Sequence, residues 1–292
     1  MNKYLNWIGG LALASLITVG GNLLGVAHKP TLAKTPATAN TTQPRSNFTQ
    51  TQSRSQIKVI YENSDDPLSL ELMQAYHKDQ FFEKVAKVIT SQINLPRDIT
   101  IVIKDCGEVN AFYNPSTHEI TMCNELTKKN YQTLREAGDD NKTAWRTAIY
   151  STLFTFYHES AHMLIRELNI PIIGKEEDAA DQFSTYFLLS NDSSPDKSMS
   201  GPIVMSAARL FDLNRQNPNQ QMLIDEHSLS QQRFYNLLCI LYGSAPNTYS
   251  DLMKELNYLD SRLAGCQAES EQLASSWKRL LEPYLARTDR GW

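Results

Sequence analysis

Two histidines four positions apart, with a glutamate directly after the first, are the residues of this sequence best suited to chemistry. They are His158, Glu159 and His162, in the pattern His-Glu-x-x-His. On a helix, residues i and i+4 lie one turn apart on one face, so both imidazoles can bind one Zn²⁺ ion at about 2.0–2.1 Å. Glu159 is rotated by about 100° from His158 on such a helix and can act as general base towards a water in the open coordination position. The pattern therefore predicts a catalytic zinc site.

A third protein ligand must come from outside this motif. One class of zinc sites takes a third histidine six residues after the second, with a glycine between them. That class is excluded, because the two positions hold Ile165 and Leu168. After a break at Asn169–Gly174, a second helical pattern begins at Lys175. The ligand is therefore expected at the start of this second helix.

Acidic residues crowd the start of the second helix. Glu177 and Asp181 are four positions apart and share a face. Glu177 can complete a site of two histidines and one glutamate, and Asp181 can accept the other ring N–H of a ligand histidine. Alternatively, the acidic run only complements the helix dipole. Both interpretations hold if Glu176 and Asp178 serve the dipole and Glu177 serves the metal.

The elements that must position these residues are a long helix and a small sheet. Apolar spacing predicts one helix over Thr143–Leu168, after a break at 138–141 that offers N-cap residues. Earlier in the body, strand patterns occur at Ile57–Tyr61, Ile99–Ile103 and Glu119–Cys123, and helical spacing occurs over Asp65–Ser91. Asn114–Thr117 has turn chemistry, so the strands on either side of it are expected to pair antiparallel. Because a small sheet precedes an almost wholly helical half, the predicted fold class is α+β.

The first 27 residues have the pattern of an export signal or a membrane anchor. Lys3 precedes an uncharged apolar run, Trp7–Val19, as in a signal peptide. Cleavage could follow Ala27 or Ala33; alternatively, Leu5–Ala27 is retained and crosses the membrane. In either case the body is exported, and we expect it in the periplasm, outside the cell, or anchored to a membrane and facing outward.

Residues 28–56 are expected to form a disordered linker, and residues 57–292 one domain. Sixteen of the 29 linker residues are Ser, Thr, Asn or Gln, and such a segment buries too little apolar area to fold. Residues 1–56 hold five basic and no acidic groups, which leaves the body with 23 basic and 32 acidic residues. An acidic body argues against nonspecific binding of nucleic acid, which needs clustered Lys and Arg.

Four cysteines lie in the exported body: Cys106, Cys123, Cys239 and Cys266. An even number in an oxidising compartment predicts two disulfides. Of the possible pairings, we expect the one between sequence neighbours, which joins Cys106 to Cys123 and Cys239 to Cys266. The alternative is a four-thiolate zinc site, but the sequence lacks the Cys-x-x-Cys pair of such sites.

Together, these motifs resemble the gluzincin class of zinc peptidases, and more closely a domain family of unknown function described as putative metallopeptidases. The stretches that carry the resemblance are Cys106–Tyr113 with Cys123, His158–Phe183, Asp225–His227, Gln232–Asn236 and Cys239–Gly243. The resemblance covers most of residues 57–287. It implies a zincin-like fold, in which a small antiparallel-containing sheet packs on an active-site helix and a mostly helical C-terminal half follows.

Further site residues are implied by this resemblance. Asn110 and Ala111 resemble the edge-strand segment that pairs with an extended peptide in gluzincins; otherwise they form a turn after the first cysteine. His227 could donate a hydrogen bond to the oxyanion of a tetrahedral intermediate, or be a structural histidine beside Asp225. Arg233 could hold the same charge, or pair with a carboxylate.

These residues predict an exported zinc-dependent peptidase with a peptide or protein substrate and Zn²⁺ as cofactor. The main alternative is a non-catalytic envelope binding or regulatory protein, in which Asp178 or His227 closes a structural zinc site as fourth ligand. A scaffold without metal would require the histidine motif to be accidental. His77 and His118 have no ligand-like partners in the sequence, and we expect them at the surface.

Overall fold

The structure, a computed structural model, describes residues 55–258 and 260–286. The predicted signal or anchor, and all but the end of the predicted linker, lie outside these residues. In chain order the elements are β1 (Ile57–Tyr61), α1 (Pro67–Asp79), α2 (Phe81–Gln92), β2 (Ile99–Lys104), β3 (Ala111–Asn114), β4 (Glu119–Cys123), α3 (Asn124–Glu136), α4 (Asn141–Glu167), α5 (Glu176–Asn191), α6 (Gly201–Leu213), α7 (Gln220–Ile224), α8 (Ser230–Ser244), α9 (Pro246–Glu255) and α10 (Asp260–Leu281). This order confirms the α+β class with a helical C-terminal half. Within the described ranges, none of the helices combines the length and the apolar character that crossing a membrane requires.

The sheet has four strands in the order β1-β2-β4-β3. β1 and β4 both run parallel to β2, and β3 runs antiparallel to β4. The expected antiparallel pairing of β2 with β4 is therefore wrong. The cause is β3, a four-residue strand that the sequence pattern does not predict. Because β3 runs back and then turns into β4, β4 regains the direction of β2. β3 consequently forms one edge of the sheet.

The helical pattern over Asp65–Ser91 contains two helices. Asp66 caps α1, and Gln80, in the left-handed conformation with φ 51°, separates α1 from α2. Phe82 of α2 packs edge-on against Tyr76 of α1 and Phe156 of α4. Phe82 therefore links this pair of helices to α4.

α4 is the central element, and it packs against α3, α5, α6 and β3. Asp140 caps its first turn, accepting hydrogen bonds from the N–H groups of Lys142 and Thr143 at 2.9 and 3.1 Å. The predicted helix is therefore confirmed, with its start two residues earlier than expected. Phe154 and Phe156 are fully buried, and burial of each contributes about 1.5–3 kcal/mol. A helix packed on nearly all sides holds its histidine motif in a fixed position.

Both predicted disulfides are present, Cys106–Cys123 and Cys239–Cys266. The first joins the loop after β2 to the end of β4, and the second joins α8 to α10. At Gly243 a Cβ atom would come within 2.2 Å of the carbonyl oxygen of Cys266, so only glycine allows the two helices to approach this closely. Each closed loop stabilises the fold by about 3 kcal/mol in the chain-entropy model. The two bonds indicate an oxidising environment.

Candidate metal centre

Three side chains that the sequence predicts as zinc ligands meet at one point. His158 and His162 lie one turn apart on α4, and their Nε2 atoms are 3.2 Å apart. Glu177, near the start of α5, has its Oε2 3.0 Å from Nε2 of His158 and its Oε1 3.3 Å from Nε2 of His162. Ala179 and Ala180 are buried, and their small side chains allow α5 to pack closely on α4. Short-range spacing on two helices thus produces one cluster of donor atoms.

The separations of these atoms fit a zinc ion. Donor atoms around a tetrahedral ion bound at about 2.0–2.1 Å lie about 3.3–3.4 Å apart, and the three distances here are 3.2, 3.0 and 3.3 Å. Two imidazoles and one carboxylate are also a donor set of catalytic zinc sites, which leave the fourth position to water or substrate. The chemistry and spacing of the residues present therefore suit Zn²⁺.

A carboxylate holds the other ring nitrogen of each predicted ligand histidine. Asp181 Oδ1 lies 2.9 Å from Nδ1 of His158, and Glu176 Oε1 lies 2.9 Å from Nδ1 of His162. Such bonds fix the orientation of the ring and place the proton on Nδ1, so that Nε2 can bind a metal. From sequence, Glu176 is assigned only to the helix dipole. No local pattern shows that its side chain turns towards the neighbouring helix.

Each of these carboxylates has an arginine partner. Arg233 of α8 donates two hydrogen bonds of 2.7 Å to Asp181 and lies 4.0 Å from the centre of the Phe211 ring. Arg166 of α4 lies 2.8 Å from Glu176. Of the two roles considered for Arg233, the structure therefore shows pairing with a carboxylate.

Glu159, the residue expected to act as general base, is only 6% exposed. Burial raises the pKa of its carboxyl group, although His158, His162 and a hydrogen bond from the backbone of Tyr113 act in the opposite direction. Tyr113 belongs to β3, so the edge strand of the sheet contacts the residue beside the predicted ligands. A carboxyl group with a raised pKa is better suited to proton transfer near neutral pH than an exposed one.

His227, which no metal-site spacing connects to the other histidines, reaches the same carboxylate. Its Nε2 lies 3.0 Å from Oε2 of Glu177, and its Nδ1 lies 3.1 Å from Asp225. Lys175 holds this loop by donating to the carbonyl oxygens of Asp225 and His227 at 2.9 and 3.3 Å. Donor atoms of His158, Glu177 and His227 all lie within 4.8 Å of one another. His227 can therefore act as a hydrogen-bond donor or as a further ligand.

Carboxylates control the protonation of this centre. Burial lowers the pKa of His158, but its hydrogen bonds to Asp181 and Glu177 outweigh burial and raise the pKa to about 10. Burial raises the pKa of Glu177, but the three histidines around it bring that pKa far below its ordinary value. Burial also raises the pKa of Asp181, and Arg233 and His158 bring it down to about 2. The centre therefore stabilises positive charge where the Nε2 atoms meet, as binding of a divalent cation requires.

Asn110 and Ala111 lie at the edge of the sheet. The backbone N–H of Cys123 donates to the carbonyl oxygen of Asn110 at 3.3 Å, and Ala111 is the first residue of β3. Because hydrogen-bonded pairs alternate along antiparallel strands, the polar backbone groups of Ala111 and Tyr113 point away from β4. The N–H of Ala111 donates to Oδ1 of Asn110 at 2.9 Å, and the N–H of Tyr113 faces Glu159. The outward carbonyl oxygens are therefore the groups that an extended peptide could meet, and their contact with a peptide stays a prediction.

The remaining candidates take other places. Asp178, considered as a fourth ligand, lines a groove between α5, α8 and α10. His77 is exposed, whereas His118 is partly buried with its Nδ1 2.6 Å from Glu167. His118 is therefore only partly at the surface, and it bonds to a carboxylate outside the predicted metal site. Its partner lies 49 positions away in the sequence, beyond the reach of any local pattern.

Comparison with known proteins gives one family for this chain. Residues 61–281 match the family described as "Putative metallopeptidase". The matched range spans more than half of the 292 residues and contains the predicted ligands, the edge strand and both disulfides. No curated protein and no solved structure matches the chain. The resemblance drawn from the motifs is confirmed, and the chain belongs to the putative metallopeptidase family.

Proposed function

We propose that this chain is an exported zinc-dependent peptidase. The observation that carries the proposal is the spacing of 3.0–3.3 Å among Nε2 of His158, Nε2 of His162 and the carboxylate of Glu177, beside the buried Glu159. The family match supports a metal-dependent peptidase in general terms. The two disulfides support an oxidising, exported location.

The residues divide the work of hydrolysis among them. His158, His162 and Glu177 would hold the ion, and Zn²⁺ bound there would polarise a peptide carbonyl and lower the pKa of water to about 7. Glu159 takes a proton from the attacking water and gives it to the leaving amine. Burial assists this transfer, because it raises the pKa of the Glu159 carboxyl group. His227 donates from Nε2 to the carbonyl oxygen as negative charge develops there.

The surrounding residues position this machinery. Asp181 and Glu176 hold the two ligand imidazoles through Nδ1. The outward carbonyl oxygens of Ala111 and Tyr113 would accept hydrogen bonds from an extended peptide. The substrate is accordingly a peptide or an unfolded segment of a protein.

A second candidate is a non-catalytic envelope protein, with a binding or regulatory role, in which zinc only stabilises the fold. It is favoured by the distance of 3.0 Å between His227 Nε2 and Glu177 Oε2. With His227 as a fourth protein ligand, the site would be closed, as structural zinc sites are. Replacement of His227 would then lower zinc affinity. In the peptidase, the same change lowers turnover and leaves zinc affinity near that of the wild type.

The test compares the purified protein, with its disulfides intact, with the variants Glu159→Gln, His162→Ala and His227→Ala. Zinc content is measured by elemental analysis and turnover with a mixed library of quenched fluorescent peptides. We expect about one zinc per chain in the wild type and in Glu159→Gln, and loss of zinc in His162→Ala. Turnover in Glu159→Gln should fall by about 10²–10⁴-fold.

Three other outcomes would change the proposed function or the proposed role of Glu159. A wild-type protein that binds no zinc after incubation with the metal has no such centre. Undiminished turnover in Glu159→Gln would exclude this glutamate as general base. Tight zinc binding without turnover, weakened in His227→Ala, would favour the non-catalytic protein.

A further inference from the structure

A buried carboxylate at the C-terminal end of α4 joins four parts of the fold. The side chain of Glu167 is 5% exposed. It accepts hydrogen bonds from the hydroxyl of Tyr113 at 2.5 Å and from Nδ1 of His118 at 2.6 Å, and it lies 2.9 Å from Nε of Arg97. Tyr113 belongs to β3, His118 directly precedes β4, and Arg97 precedes β2. We refer to these four side chains as the Glu167 clamp.

The protonation of the clamp follows from its geometry. An Arg97 nitrogen lies 3.1 Å from Nε2 of His118. Because a guanidinium can only donate, Nε2 accepts and Nδ1 carries the proton that goes to Glu167. Burial raises the pKa of the Tyr113 hydroxyl, and Glu167 raises it further, so this group remains a donor. A buried carboxylate is costly unless donors surround it, and here three donors fix it in place.

Tyr113 contacts α4 at two points. Its hydroxyl bonds to Glu167, and its backbone N–H lies near enough to Glu159 to lower the pKa of that carboxyl group. The two glutamates are eight residues apart on the helix, a distance of about 12 Å at a rise of 1.5 Å per residue. Tyr113 therefore extends along the helix, and its hydroxyl ties β3 to the C-terminal end of α4.

We propose that the Glu167 clamp sets the spacing between the edge strand β3 and the helix that carries the zinc ligands, and that Tyr113 and Glu167 are thereby positioning residues for peptide binding. The proposal rests on the proposed function, because it takes β3 as the strand that pairs with the substrate. A peptide long enough to pair with β3 depends on this spacing. A short substrate that reaches only the metal does not.

The matched variants are Tyr113→Phe and Tyr131→Phe. Each removes one hydroxyl that donates a hydrogen bond of 2.5 Å, but Tyr131 bonds to Asn141 at the opposite end of α4. Kinetics are measured for two peptides that share a scissile bond. One is long enough to span β3, and the other is short, with chemically blocked ends on both sides of that bond. We expect Tyr113→Phe to lower kcat/KM for the long peptide by about tenfold to a hundredfold, mostly through KM. The short peptide and the Tyr131→Phe variant should change less than about twofold.

A conservative change separates charge from position. Glu167→Gln keeps an acceptor for the Tyr113 hydroxyl, so its loss on the long peptide should be smaller than that of Glu167→Ala. Zinc content should stay equal to that of the wild type in all of these variants. Equal losses on both peptides, or an equal loss in Tyr131→Phe, would mean that the clamp only stabilises the fold and would overturn the proposal.

A second measurement keeps the clamp testable if the proposed function fails. Should the zinc-loaded wild type cleave neither peptide, amide hydrogen exchange of β3 decides. Faster exchange at Phe112 and Asn114 in Tyr113→Phe, with no change in Tyr131→Phe, supports the clamp as the device that holds β3. Unchanged exchange in both variants overturns it.

Discussion

The two predicted ligand histidines are held by the same chemical arrangement at two different depths. Nδ1 of His158 bonds to Asp181, which pairs with Arg233, and the side chains of that pair are 9% and 17% exposed. Nδ1 of His162 bonds to Glu176, and in this second pair Glu176 is 27% exposed and its partner arginine 59%. The first chain of contacts lies among α4, α5 and α8, whereas the second lies at the surface of α4 and α5.

The burial of each arrangement decides how much it contributes to metal affinity and to stability. Water can replace a lost partner in an exposed ion pair, so such pairs contribute about 0–1 kcal/mol. In a buried pair, removal of one partner leaves an uncompensated charge, at a cost of about 3–5 kcal/mol. We therefore expect the Asp181 side to determine both metal affinity and stability, and the Glu176 side to adjust metal affinity alone.

The largest effect is expected for Asp181→Ala. The change removes the acceptor of His158 and leaves Arg233 unpaired. Zinc affinity should fall by about 10–100-fold, and the free energy of unfolding of the zinc-free protein should fall by about 3–5 kcal/mol. Competition with a chromophoric chelator measures the first quantity, and urea denaturation measures the second.

Asp139→Ala is the matched control for this prediction. Asp139 accepts two hydrogen bonds of 2.6 Å from Arg209, so it forms an aspartate–arginine pair of the same kind away from the predicted ligands. The control should lower stability and leave zinc affinity unchanged. Loss of zinc affinity in both variants would attribute the effect to general destabilisation rather than to the bond with His158.

The buried pair should also make the stability of the zinc-free protein depend on pH. The pKa of Asp181 is lowered from 3.8 to about 2 in the folded protein. A depressed pKa contributes stability that is fully present above the unfolded pKa and is lost as the pH falls through the folded one. The window is therefore about pH 4 to pH 2, and the contribution is about 2 kcal/mol. The difference in unfolding free energy between the wild type and Asp181→Asn should shrink across this window. A constant difference would show that the ionised carboxylate is not the stabilising group.

Short-range patterns predict much of the centre and little of what surrounds it. His158, His162, Glu177 and Asp181 follow from spacings of four residues on helices, where i and i+4 must share a face. The boundaries of α4 follow from a capping residue and an apolar pattern. These signals are local, so the sequence alone is sufficient for them.

The features that sequence did not reveal all depend on contacts between distant parts of the chain. β3 has four residues, and its pairing with β4 rather than its own pattern makes it a strand. His227 is a candidate from the resemblance, but its contact with Glu177, 50 positions earlier in the chain, follows from no local pattern. The partners of Glu167 lie 49 to 70 positions earlier in the chain. Only the tertiary fold brings such residues together, and no periodicity marks them.

A smaller effect is expected for Glu176→Ala. Because this carboxylate is partly exposed, water can replace it at Nδ1 of His162. Zinc affinity should fall by less than about tenfold, and stability should change by less than about 1 kcal/mol. Glu176→Gln keeps an oxygen acceptor and should restore most of the affinity. A loss of affinity as large as that in Asp181→Ala would contradict the dependence on depth.

The smallest effect is expected for Arg166→Ala. Arg166 lies 2.8 Å from Glu176, but it does not contact the metal-binding nitrogens, and its side chain is mostly in solvent. Its removal should change stability by less than about 1 kcal/mol, and zinc affinity should change measurably only at low ionic strength. At about 1 M salt the screening length falls to about 3 Å, so the variant and the wild type should bind zinc equally. If Arg166→Ala instead weakens zinc binding at high salt as much as Glu176→Ala does, the arginine orients the Glu176 carboxylate through its hydrogen bond. Solvent exposure would then not explain why the Glu176 and Asp181 sides differ.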